Sequence, residues 1–211
     1  MTSGARHRTV GCRASRHGHD SPVMNRRSVC VSGLVLAAGI VGFPWLALGS
    51  DAMPEPFEED GVRFTRVAHA PFRWKGWLAV YDVDMAVGPG TTREKPLEGG
   101  PVRLEFTYHR AFTAKEITEG GNALLAKNVP ADELDALKPR LERLNRAYGD
   151  VRPGDRYTLT HAPGKGLTLR LNGKALATVE GDDFAGRYLR IWLGSEPIHK
   201  GLRDRLLGAA R

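Results

Sequence analysis

Residues 166–179, "GLTLRLNGKALATV", constrain the fold more than any other stretch of the chain. Leu167, Leu169 and Leu171 alternate with Thr168 and Arg170, so one side of an extended strand is apolar and the other polar. Asn172-Gly173 then supplies two residues that tolerate positive φ, which a two-residue type I′ turn demands. The chain must turn back on itself here as an antiparallel pair with one buried face. The preceding "DRYTLTHA", closed by the turn "PGKG", adds a strand of the same kind.

Further upstream, "GVRFTRVAHA" and "PFRWKGWLAVYDVDMAV" are rich in Val, Phe, Trp and Tyr and read as strands, with Pro71 and Gly76 as expected breaks. Residues 88–101, rich in Gly and Pro, read as a loop. In "VRLEFTYHRAF", Leu104, Phe106 and Tyr108 share one face, while Arg103, Glu105, Thr107 and His109 share the other. Thr113 and Glu116 fit a capping box opening a helix with Ile117, Leu124 and Leu125 on its apolar stripe, which Gly120-Gly121 should weaken or kink. A second helix carries Leu134, Leu137, Leu141, Leu144 and Tyr148 on one face, and Pro139 should bend or split it. Two last helices are expected over 182–193, capped by Asp182 or Asp183, and over 197–207, ended by Gly208. Strands, helices, strands and helices without βαβ alternation specify an α+β fold, an antiparallel sheet packed by helices.

The first 52 residues have a different character. Residues 1–23 are basic, rich in Ser, Gly and His and without periodicity, and read as a disordered leader or an upstream start ahead of Met24. Residues 24–52 read as an export signal: Arg26 and Arg27, an uncharged run over 29–48, then small residues fit for cleavage. An uncleaved signal would be the domain's link to a membrane, and the Arg pair resembles a twin-arginine signal. Periplasmic or other exported residence follows, with the domain over 53–211. Cys12 and Cys30 both fall in the lost segment, which leaves no disulfide and no thiolate in the domain. The net charge of +7 falls to +3 once the six basic and two acidic residues of 1–52 are removed. Such a weakly positive, interspersed surface is unlike a nucleic-acid-binding face.

The chain has no Gly-x-Ser-x-Gly elbow, no Walker loop and no Gly-x-Gly-x-x-Gly. His69, His109, His161 and His199 lie far apart, without the spacing of a helical zinc pair, so no metal and no organic cofactor is expected. Two positions do point to a site. Arg73 stands between Phe72 and Trp74, and a guanidinium buried among aromatics needs an anionic partner such as a bound carboxylate. Its alternative place is the exposed face of the strand, paired to a surface acid. Tyr81 stands at the far end of the same strand region.

The C-terminal half resembles the chalcone isomerase-like proteins of bacteria. The elements carrying the resemblance are Gly154-Asp155, the turn at 163–166, Asn172-Gly173, Asp-Phe-Ala at 183–185, Ile-Trp-Leu-Gly at 191–194, Pro197 and Leu-Leu-Gly at 206–208. In "FRWKGWLAVYDVDM" an Arg precedes a Tyr by eight residues, as in that family, which maps its ligand-holding pair onto Arg73 and Tyr81. The resemblance implies that Arg73 holds an enolate or a lipid carboxylate. Nothing matches the family's catalytic Tyr and Asn, although Asn122 and Tyr148 fall in the right region. The expected function is thus a non-enzymatic binder of a small apolar carboxylate such as a fatty acid; the alternatives are a ring-closing isomerase and an envelope protein-interaction module. In "DDFAGRYLRIWLG", Phe184, Tyr188 and Trp192 recur every four residues with Arg187 and Arg190 off the stripe, so the stretch reads as a core helix with no chemistry of its own.

Overall fold

One sheet satisfies the alternation. The computed structural model describes residues 56–209, so the leader and export signal at 1–52 lie outside the described residues. Seven strands follow in chain order, each antiparallel to the next: β1 (Phe57–Glu59), β2 (Val62–Trp74), β3 (Leu78–Val87), β4 (Val102–Tyr108), β5 (Arg156–Ala162), β6 (Gly166–Leu171) and β7 (Lys174–Val179). Helices α1 (Ala114–Asn128) and α2 (Ala131–Asn145) join β4 to β5, and α3 (Asp182–Leu193) and α4 (Lys200–Leu207) follow β7.

Cross-strand partners lie on one face of a sheet. Tyr81 pairs with Tyr108, Val83 with Phe106 and Met85 with Leu104. Leu104 pairs in turn with Leu159, and Leu159 with Leu169. The apolar face is therefore continuous from β3 to β6, and these side chains are buried. On the other face the polar residues are not simply solvated. Glu59 accepts from Arg103 and from Arg170, each at 3.2 Å, and is bonded to the Thr160 hydroxyl. Arg170 also holds both Asp60 oxygens, at 2.6 and 2.7 Å. The β1 end thus reaches across β4 to β6, the sheet curls, and Thr158 and Thr160 are buried on what the sequence marks as the wet face.

Asn172 and Gly173 hold φ of +50° and +82°, the turn the sequence specifies. Gly76 also lies in a turn, but Pro71 breaks nothing: it stands inside β2, opposite Asp82. Strand β1 pairs only with Val62–Phe64, so β2 is a sheet edge at Pro71, where a missing N–H is tolerated. Helix α4 packs against this strand, and Arg205 donates to the Pro71 carbonyl at 2.7 Å.

The capping box of α1 is complete, with Thr113 Oγ1 accepting from Glu116 N at 3.2 Å and the Glu116 carboxylate from Thr113 N at 2.8 Å. Neither helix is split: α1 runs on through Gly120-Gly121, and α2 through Pro139. Buried Leu137 and Leu141 flank the proline and tie both halves of α2 to the core, and such packing outweighs one lost helical hydrogen bond.

The cap of α3 is not an aspartate. Gly181 takes that place at φ +103°, where a Cβ would lie 2.5 Å from both the Arg140 guanidinium and the Asp183 carboxylate. Asp182 instead accepts the Gly164 N–H and sits 3.2 Å from Nε2 of buried His161. Asp183 clamps Arg140 through two bonds of 2.8 and 2.7 Å, tying α3 to α2. Helix α4 starts at Lys200 rather than 197, because His199 caps it with Nδ1 accepting from Leu202 N at 3.1 Å. Gly208 closes it at φ +70°, as the sequence indicates.

The Arg140 bonds lower the Asp183 pKa from 3.8 to about 2. The ionised form is the one the fold favours, so its contribution is present at neutral pH and is lost as the pH falls towards 2. With the carboxylate half exposed, Asp183→Asn should cost about 0.2–1 kcal/mol at neutral pH in urea unfolding, and progressively less as the pH falls through about 2.

Candidate functional site

The sheet's apolar face is not fully covered. Between it and helices α1 and α3 lies a cavity of about 430 Å³, within the range of roughly 300–1,000 Å³ usual for small-molecule sites. Strands β2 to β5 supply one wall, with Phe72, Val80, Phe106 and Leu159, and α1 and α3 supply the other, with Ile117, Leu124 and Ile191. Gly120 and Gly121 also line it. A Cβ on Gly121 would meet only the Tyr188 hydroxyl, at 3.7 Å, and one on Gly120 nothing within 4 Å, so the two glycines leave room inside the cavity.

All five tyrosines of the chain line this cavity: Tyr81, Tyr108, Tyr148, Tyr157 and Tyr188. Their hydroxyls differ in how much hydrogen-bonding capacity is used. Tyr157 is saturated, donating to the Gly149 carbonyl at 2.9 Å and accepting from its N–H at 2.7 Å. Tyr148 and Tyr188 share one bond of 3.0 Å. Tyr81 accepts from Trp192 Nε1 at 3.2 Å, which leaves its own proton free to donate. Burial is the main cause holding all five protonated: it drives Tyr81, Tyr108 and Tyr148 well above the ordinary 10.0, raises Tyr157, and pushes Tyr188 up to about 12. The interior is thus neutral and apolar, with a few hydroxyl donors.

Charge appears only at the mouth, in Arg110 and Glu116, both exposed. Glu116 is engaged: the Thr113 backbone N–H and then its hydroxyl lower its pKa. Arg110 makes no ion pair or side-chain hydrogen bond among the described residues.

Of the pair read from the sequence, Tyr81 lines the cavity and Arg73 does not. The cause is a bulge. In a regular hairpin Arg73 opposite Ala79 would put Pro71 opposite Tyr81, and Arg73 and Tyr81 would share a face. Instead Val80 is an extra residue, Phe72 pairs with Tyr81, and the two faces exchange at that point. Tyr81 turns inward against Phe72, ring centroids 5.1 Å apart, and Arg73 is exposed. It takes the exposed strand face that was its alternative place, but no acid pairs with it there among the described residues.

Tyr148 reaches the cavity from the turn after α2, whereas Asn122 accepts from Asn145 at 3.0 Å and does not line it. The reading of 182–194 as core alone is corrected as well. Phe184 and Leu189 are buried in the core, but Tyr188, Ile191 and Trp192 form a cavity wall, with Trp192 4.7 Å from Phe106 between ring centroids. The tyrosines at 108, 157 and 188 carried no mark as site residues in the sequence. The signal available was that Tyr108 and Tyr157 fall at inward strand positions and Tyr188 on the apolar face of its helix, each with a hydroxyl that needs a partner or a ligand.

Among the described residues no three His, Cys, Asp or Glu side chains gather as a metal site. Residues 70–208 match the family model described as chalcone isomerase-like. The fold is similar to that of an Arabidopsis thaliana fatty-acid binding protein known from its crystal structure, at 14% identity and a TM-score of 0.52, over 72% of this chain and 90% of that one. No curated protein matches the sequence.

The tyrosine environment has an alkaline signature. Unfolded tyrosine releases its proton near 10.0 while Tyr188 keeps it to about 12, so the stability from these buried hydroxyls is full below pH 10 and falls as the pH rises through that interval. In an alkaline titration, phenolate absorbance and loss of near-ultraviolet circular dichroism should rise together; early phenolate in a fully folded chain would contradict the burial.

Proposed function

Because the chain belongs to the chalcone isomerase-like family, with a cavity lined by aromatics and tyrosine hydroxyls, we propose that it binds a small apolar carboxylate of the fatty-acid type without transforming it. The observation that carries this reading is the division of chemistry along the cavity: neutral and aromatic within, one uncommitted cation at the mouth. An acyl chain fits the first and a carboxylate the second. Arg110 takes the anion-holding role that the sequence assigned to Arg73, and Tyr81, with its free proton, serves as a donor to the ligand. The fatty-acid binding protein of similar fold supports the ligand class.

Ring closure would need a group that moves protons at the reacting atom. The interior offers hydroxyls that stay protonated, and Arg73 faces away, so binding is the favoured reading. An open cavity with unspent donors favours it equally over a protein-interaction module. The proposal includes export, which rests on Arg26, Arg27 and the uncharged run at 29–48 alone.

Calorimetric titration with dodecanoate and with dodecanol separates the two parts of the site. A charge-assisted bond at an exposed mouth is worth about 1 kcal/mol, so Arg110→Ala should weaken dodecanoate about fivefold and leave dodecanol unchanged. Gly121→Leu should fill the cavity and abolish binding of both, while stabilising α1 by about 1 kcal/mol through helix propensity. Unaltered binding by Gly121→Leu would move the ligand elsewhere.

A further inference from the structure

The β2–β3 hairpin tip is the part of the surface that the cavity does not explain. Trp74 is 53% and Trp77 72% exposed, and with Leu176 they are the exposed large apolar side chains among the described residues. Placing two indoles in water on one turn is unfavourable unless something covers them. The turn itself is rigidly specified, since Lys75 and Gly76 both hold positive φ, +52° and +82°. Its cations are equally uncommitted: Arg73 and Lys75 on the tip and Arg110 at the mouth are exposed, and none makes an ion pair among the described residues.

Trp74 has a second role, because it also lines the cavity, together with Leu78 across the hairpin. The exposed tip and the entrance are therefore one continuous surface, and an acyl chain leaving the cavity passes this indole. Exposed tryptophans flanked by unpaired cations match the chemistry of an anionic bilayer surface, where indole rings settle at head-group depth and Lys and Arg meet anionic lipids.

We propose that the Trp74–Leu78 tip docks on an anionic lipid surface and seats the cavity mouth there, so that the ligand exchanges directly with the bilayer. Docking stands on the tip alone; exchange rests on the acyl-carboxylate reading.

Hydrogen–deuterium exchange of the full chain, with and without vesicles, reads the tip locally. Phosphatidylglycerol-containing vesicles should slow exchange across 74–78 about tenfold and phosphatidylcholine vesicles much less, with β7 around Leu176 unaffected. In Trp77→Ser/Lys75→Asn the tip protection should vanish even if other parts of the chain still hold the vesicle. Transfer of a fluorescent fatty acid from vesicles should then slow about tenfold, while uptake of free dodecanoate stays at the wild-type level, since neither residue lines the cavity. No tip protection in the wild-type chain overturns the proposal. Tip protection without any uptake of free dodecanoate overturns the acyl reading and leaves the docking surface standing.

Discussion

A seven-stranded meander has one wide apolar face that must be kept from water, and four short helices are all that the described chain has to cover it. That constraint organises the molecule. The inward positions of β3 to β6 are apolar or aromatic apart from His161, and α3, with Phe184 and Leu189, packs on β5 and β6 while α4, with Leu202 and Leu206, packs on β2. Where α1 crosses the sheet, two glycines stand where side chains would close the gap, and the uncovered area becomes an aromatic cavity. The site is thus an unfinished part of the core, made of the same residues that hold the fold.

The polar groups follow from the same geometry. A tyrosine on an inward position brings a hydroxyl into a dry space, where it must find a partner or remain available. Tyr157 finds the Gly149 backbone, and Tyr148 and Tyr188 find each other. Tyr81 receives a bond and gives none among the described residues. Specificity in such a cavity arises from which donors are left over, while the charge is kept at the entrance, where water still solvates it.

Period-two alternation in β4 and β6, the Asn172-Gly173 turn, the capping box and the leucine stripe of α2 were legible because each is a local rule obeyed locally. Three features were not. Asp182 and Asp183 look like helix caps but are taken by Gly164 and Arg140, partners distant in sequence. Gly120-Gly121 looks like a weak point in a helix and is a space inside a cavity, which only the opposite wall reveals. Arg73 and Tyr81 have the sequence spacing of one face, and a single bulged residue separates them.

That bulge has a consequence for how such a site can change over generations. Beyond Val80, strand β3 is locked by its pairing with β4, so a one-codon loss at this point cannot turn Val83 or Met85 outward without dismantling the sheet. Loss of Val80 would leave Phe72 opposite Tyr81 and Arg73 opposite Ala79 in one regular ladder, with Arg73 still outside, whereas one residue inserted between Phe72 and Arg73, opposite Val80, would turn Arg73 in and Trp74 out. The entrance chemistry is therefore separable from the structural framework: one residue inserted in β2 exchanges an aromatic threshold for a cationic one.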